Sequence, residues 1–199
     1  MHPPRVTQID DLKARLHQNR ILDAILHRAP QLQMPNWYLG AGCLAQTVWN
    51  GLHGFPAEQH IKDYDLVYFD AADTSYAGED AYIRQGAVVF ADLPATVEIR
   101  NQARVHRWYA QHFGYRIRPY TSVEDAINSW PTTTTSMGIT CEAQGDWKVY
   151  TPFGLDDVLS MTVRPNKRQI TERIYLSKVQ RWRTLWPKLR IIPWDAEDG

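Results

Sequence analysis

Apolar residues recur at spacings of three and four between Thr7 and Arg28, at Ile9, Leu12, Leu16, Ile21, Ile25 and Leu26. That period predicts one amphipathic helix, with Thr7 and Asp10 in a capping arrangement and Pro30 and Pro35 ending it. Trp37-Tyr38-Leu39 reads as a short strand running into Gly40-Ala41-Gly42. Cys43 to Leu52 returns to helical spacing, with Leu44, Val48 and Leu52 on one side and Gly54 past the end. Leu66 to Phe69 is a buried strand, and Ala71 to Gly86 a loop with a short helix. Val88-Val89-Phe90 fits either a helix end or a strand, and Ala95 to Ile99 is the next strand. Val105, Trp108, Tyr109 and Phe113 mark a helix from Ala103 that Gly114 closes.

The character changes after Tyr120. Thr121 or Ser122 can cap a helix through Val123, Ala126 and Ile127, which Pro131 stops. A hydroxyl-rich run, Thr132 to Ser136, follows, then a short strand from Trp147 to Tyr150 and a Pro152-Phe153-Gly154 turn. Tyr175, Val179, Trp182, Trp186 and Leu189 place an amphipathic helix over Thr171 to Leu185, with Pro187 ending or kinking it. The plan is α/β in the α+β sense: an acid-bearing strand core over residues 1–120 and a mostly helical part over 121–199. No internal repeat interrupts it.

Composition narrows this further. Of 199 residues, 44% are hydrophobic and 8 are Trp, enough for a real core and unlike a disordered chain. The 22 basic residues balance the 22 acidic ones, which argues against a protein that coats long nucleic acid. The balance is uneven, however. Glu58 to Glu98 holds nine acids against Lys62 and Arg84; Arg164 to Arg190 holds nine bases against Glu172. An acidic centre suits metal ions, and a basic flank suits a polyphosphate or a short nucleic acid. With only 2 cysteines, Cys43 and Cys141, neither a disulfide framework nor a CxxC metal site is expected. No apolar run is long enough to cross a membrane, and Met1-His2-Pro3-Pro4-Arg5 lacks the apolar core of a secretion signal. The cytoplasm is the expected compartment.

The chemistry concentrates at Asp63-Tyr64-Asp65, at the mouth of the Leu66-Val67-Tyr68-Phe69 run. Strand side chains alternate, so Asp63 and Asp65 share a face, and two adjacent carboxylates repel unless a cation joins them. Glu98 supplies a third acid from a second strand. Oxygen donors of this kind hold Mg2+ or Mn2+. Upstream, Gly40-Ala41-Gly42-Cys43 lies between a strand and a helix, where backbone N–H groups and the helix dipole can cradle a phosphate. Each part has a plain alternative: a tight turn for the glycines, and a solvent-facing charge pair or an N-cap for the two aspartates. Asp70 reads as a turn residue.

Taken together, G-A-G-C, K-D-Y-D-L-V-Y-F-D and V-E-I-R-N-Q-A-R-V-H-R-W-Y resemble the DNA polymerase β nucleotidyltransferase superfamily. More closely, they resemble a bacterial nucleotidyltransferase-like family of unknown function. W-P-T-T-T-T and P-F-G-L-D-D-V-L-S-M-T-V-R-P-N extend the resemblance to roughly Trp37 to Asn166. It implies a mixed-sheet core packed by helices, a divalent metal on Asp63, Asp65 and Glu98, and a nucleoside triphosphate donor such as ATP. The phosphate turn maps onto Gly42 and Cys43, with Gly40 before them. Cys43 departs from the superfamily, which often has a Ser whose hydroxyl contacts a phosphate. The long gap from Gly42 to Asp63 suggests a loop around His53 to Gln59.

The expected activity is a metal-dependent nucleotidyltransferase. It moves an NMP group from an NTP to a hydroxyl of an unidentified acceptor (RNA, protein, sugar or another small molecule) and releases pyrophosphate. A non-catalytic nucleotide- or partner-binding protein on the same fold is the alternative, and a metal-dependent phosphohydrolase a more distant one. Several residues keep two readings. Arg104 can hold a γ-phosphate or pair with the acidic centre. Asn101 and Gln102 can face the pocket. Thr132 to Thr135 can meet base or ribose hydroxyls, or build a turn. Lys178, Arg181 and Trp182 can receive an RNA or nucleotide acceptor, although a Trp182 and Trp186 stripe is more simply core. Lys62 fits solvent best, and His106 a surface or core position.

Overall fold

The helix expected over residues 7–28 is two helices, α1 (Val6–Leu16) and α2 (Arg20–Arg28). The break is made by Asn19, a polar residue that the apolar period does not register. Its Oδ1 accepts the Leu22 N–H at 3.0 Å, capping α2. Its Nδ2 donates to Thr47 Oγ1 at 2.8 Å and to the Tyr64 hydroxyl at 3.2 Å, so a fully buried amide ties three elements together. Thr7, expected as a cap, lies inside α1. The computed structural model describes residues 6–141 and 146–196; residues 1–5, read above for a leader, lie outside them.

The remaining elements follow in order: β1 (Tyr38–Gly40), α3 (Gly42–His53), β2 (Tyr64–Tyr68), α4 (Tyr76–Val89) and β3 (Val97–Asn101). Then come α5 (Val105–Phe113), α6 (Val123–Ile127), β4 (Gly138–Cys141), β5 (Trp147–Tyr150) and α7 (Asp156–Leu159). The described chain ends with β6 (Thr162–Val163), α8 (Glu172–Leu185) and β7 (Arg190–Ile191). α4 is a 14-residue helix, longer than expected, and Val88-Val89 is its end. β4, α7 and the β6–β7 pair carry no sequence signal strong enough to expect them. Gly54 and Gly114 close α3 and α5 with positive φ, as their positions suggested.

Five strands form one mixed sheet in the order β3-β2-β1-β4-β5. β2 and β3 are parallel, whereas the other neighbours are antiparallel. The part after residue 120 carries α6, α7 and α8 and also gives β4 and β5 to this sheet. One sheet face is apolar: Leu39, Tyr64, Leu66, Tyr68, Ile99 and Ile139 join the main core, where the buried faces of α1, α2, α3 and α8 meet. Trp49 of α3 meets Trp182 and Trp186 edge-on, each at 5.4 Å between ring centres. Trp186 Nε1 donates to Asn50 Oδ1 at 2.7 Å. These contacts fix the C-terminal helix against α3 and so decide what its other face can reach. Among the described residues no helix is long and apolar enough to cross a membrane.

Candidate active site

The turn between β1 and α3 is tighter than its glycines alone suggest. Ala41, not a glycine, takes the unusual backbone, with φ 62° and ψ −135°. Its N–H donates to the Met137 carbonyl at 3.1 Å, which holds the turn. Gly40 is required for packing: a Cβ there would sit 2.8 Å from the Met137 oxygen and 2.8 Å from the Trp130 ring. Gly42 opens α3, and no side chain caps that end, so its first-turn N–H groups remain available to an anion. Cys43 turns its side chain inward. Its thiol donates to the Gly40 carbonyl at 3.1 Å, and burial pushes its pKa well up. Only the backbone of Cys43 is on offer to a ligand.

The acids sit opposite. Asp65 pairs in register with Gly40 on one side and with Glu98 on the other. Asp63 immediately precedes β2. All three carboxylates, with Ala41 and Gly42, line one cleft of about 500 Å³. The Asp65 carboxyl is pushed up to about 7, first by burial and then by the charges of Asp63 and Glu98, against smaller opposing effects of Lys178 and Arg100. The cations that line the cleft thus offset the crowding of the acids only in part. Among the described residues no three His, Cys, Asp or Glu side chains already close into a metal cage. The donors nevertheless fit a hard divalent cation in kind: all are carboxylate oxygens, and their mutual repulsion is what such an ion relieves.

The other candidates divide sharply. Arg104 does not reach the cleft. It forms a buried ion pair with Glu79, the side chains 12% and 4% exposed, and lies over the Tyr76 ring. Of its two readings the structure carries an ion pair: its partner is Glu79 of α4, and Arg104 is not among the residues that line the cleft. Asn101 is also structural, its amide donating to the Asp70 and Asp73 carbonyls at 3.0 Å each. Asp70 accepts from Ala72 and Asp73 N–H groups, as a turn residue does. The threonine hydroxyls are mostly consumed internally: Thr132 with Thr135, Thr133 with Asp157, and Thr134 with the Thr162 carbonyl. Lys62 is exposed, and His106 is half-buried on α5. Gln102, Lys178, Arg181 and Trp182 do line the cleft.

Two features of the cleft escaped the sequence reading. Arg100 lies two residues beyond Glu98 and shares its face, with its guanidinium 3.6 Å from the Glu98 carboxylate; the same alternation that joined Asp63 and Asp65 contained this signal. An aromatic wall of Trp108, Tyr109, Tyr120 and Trp130 lines the cleft beyond the acids. It draws on α5 and on the segment flanking α6, and no local spacing joins those residues.

A sequence-family model described as nucleotidyltransferase matches residues 27–191. A solved structure described as a CCA-adding enzyme head domain, determined by NMR, superposes with a TM-score of 0.75 and 26% sequence identity, over 92% of this chain and 95% of that one. No curated protein sequence matches.

Proposed function

The chain belongs to the nucleotidyltransferase family, and from that premise we propose that it transfers an NMP group from an NTP to an acceptor hydroxyl, with Mg2+ or Mn2+ on Asp63, Asp65 and Glu98. One observation carries this reading. Three carboxylates, just before β2, on β2 and on β3, and the uncapped start of α3 line a single cleft. Among the described residues no side chain caps that helix end, and Asp63 and Glu98 both make Asp65 costlier to ionise. A metal-bound phosphate satisfies both sides at once.

In the proposed reaction the acceptor oxygen bonds to the α-phosphorus, and the bond from that phosphorus to the bridging oxygen breaks. Its electron pair leaves with pyrophosphate, and the hydroxyl proton passes to the Glu98 carboxylate. Asp63, Asp65 and Glu98 would hold the divalent ion, which when bound would supply charge neutralisation and polarise the reacting phosphate. The chain's own groups orient the reactants: the Gly42 and Cys43 N–H groups face the phosphates, and the aromatic wall gives a planar base a surface to stack on. Calorimetric titration of ATP, GTP, CTP and UTP with Mg2+ or Mn2+, on wild type and on Asp63→Asn/Asp65→Asn, tests the donor site. Metal-dependent binding of one NTP, abolished in the double variant, is the expected result; pyrophosphate release with an acceptor panel then follows. No binding by well-folded protein would sink the reading.

A further inference from the structure

α8 divides its residues between two environments. Tyr175, Val179 and Trp182 are buried in the core, while Ile174, Lys178 and Arg181, spaced four and three apart, line the cleft. Among the described residues neither Lys178 nor Arg181 has a carboxylate within 4.0 Å. Lys178 is half-buried, and its ammonium lies 6.0 Å from the Trp182 ring centre. Burial and the neighbouring Arg181 both disfavour its charge, while Asp65 and Asp63 favour it from across the cleft. A half-buried ammonium beside a second cation, with no counter-ion in contact, is costly to fold around. It contributes nothing to the core, which the opposite side of α8 already fills.

The two walls of the cleft are thus of opposite sign and do not touch. The sheet wall carries Asp63, Asp65 and Glu98, offset only by Arg100 beside Glu98; the α8 wall carries Lys178 and Arg181. A bare dication satisfies the first wall and repels the second, whereas a bare anion does the reverse. A ligand with a dication on one side and anionic oxygens on the other satisfies both. Resting on the function proposed above, we infer that Lys178 and Arg181 clamp the metal-bound polyphosphate tail of the donor between α8 and the acids. They take the role that Arg104 cannot fill, and they hold the pyrophosphate as the bond to the α-phosphorus breaks and negative charge gathers on the leaving oxygen.

Inorganic tripolyphosphate with Mn2+ is the probe, followed by calorimetry; Mn2+ alone is followed by electron paramagnetic resonance. Lys178→Met/Arg181→Met is expected to weaken tripolyphosphate binding by roughly 10- to 100-fold and not to weaken Mn2+ binding, since the cations oppose a bare dication rather than hold it. Lys178→Arg, which keeps the charge, is expected to bind tripolyphosphate nearly as wild type and guards against a folding artefact. Unchanged tripolyphosphate binding in the double methionine variant overturns the inference and leaves the donor reading standing. So does retained tripolyphosphate binding with selective loss of a short single-stranded RNA, which assigns the cations to the acceptor. Wild type that binds Mn2+ but neither tripolyphosphate nor any NTP overturns both.

Discussion

The protein contains two charged clusters that sequence proximity does not distinguish but structure does. Arg104 and Glu79 are buried together, and Glu79 also accepts the Asn101 N–H at 2.9 Å. Every charge there has a partner supplied by the fold. In the cleft, Asp63, Asp65, Lys178 and Arg181 face one another without contact. The first cluster ties α4 to β3 and the turn after it. The second holds charges apart at the expense of stability, as a site prepared for a ligand does. Charge density alone therefore says little about function, and satisfaction by the protein's own groups says much.

The contrast breaks most visibly at the acids. Asp63→Asn/Asp65→Asn is expected to reduce NMP transfer by roughly 10⁴-fold or more, because the charge that would hold the metal is gone. The same variant is expected to unfold at no lower temperature than wild type in metal-free buffer, since it relieves repulsion. Pyrophosphate release and a thermal melt on the same samples check both halves. A variant that lost activity only because it had unfolded would erase the distinction between the clusters.

The paired cluster should behave in the opposite way. Arg104→Met leaves Glu79 charged and buried, and is expected to cost about 3–5 kcal/mol of stability. Arg104→Met/Glu79→Leu, with both charges removed, should regain much of that loss. Urea denaturation of the two variants measures it. NTP affinity of whichever variant stays folded should remain close to wild type, because Arg104 is not in the cleft. Asn19→Ala comes next, at about 2 kcal/mol, for the α2 cap and for the buried Thr47 and Tyr64 hydroxyls it leaves short of a partner. Activity per folded molecule should not change, and an activity assay normalised to the folded fraction checks this.

Much of the site was legible because strand alternation is local. Asp63, Asp65 and Glu98 needed only a period of two and a guess that their strands are neighbours; the register of Asp65 with Glu98 is what that guess required. The failures share a cause in long-range contacts. Asn19 breaks a helix because of partners 28 and 45 residues away. Arg104 leaves the site because Glu79, 25 residues earlier, returns to it on α4. β4 was missed because its partner is β1, a pairing of Leu39 with Ile139 and Gly40 with Gly138 between segments far apart in the chain. Lys178 and Arg181 were visible as a basic helix face, but what that face looks onto is set by the packing of Trp49 against Trp182 and Trp186.

The smallest effect tests the comparison in solution without any ligand. The Asp65 carboxyl is held at about 7 in the folded chain, above its ordinary value of 3.8, by burial and by Asp63 and Glu98. Below about pH 4 the proton is bound in folded and unfolded chains alike, and the folded state carries no penalty. As the pH rises towards 7, the unfolded chain ionises freely while the folded chain resists, so metal-free stability is expected to fall across that window and to level off above it. The site is only half-buried, so the expected loss is about 1 kcal/mol rather than the larger figure the full shift would give. Asp73, Asp92 and Asp125 are held below their ordinary values, chiefly by side-chain hydrogen bonds from Ser75, Arg28 and Arg118, and their contributions are lost only as the pH falls below about 4. Subtracting the Asp65→Asn profile from the wild-type one therefore isolates the cleft. Saturating Mg2+ should remove the difference above pH 7 by supplying the charge the acids lack; a slope that persists in Asp65→Asn would place its origin outside the cleft.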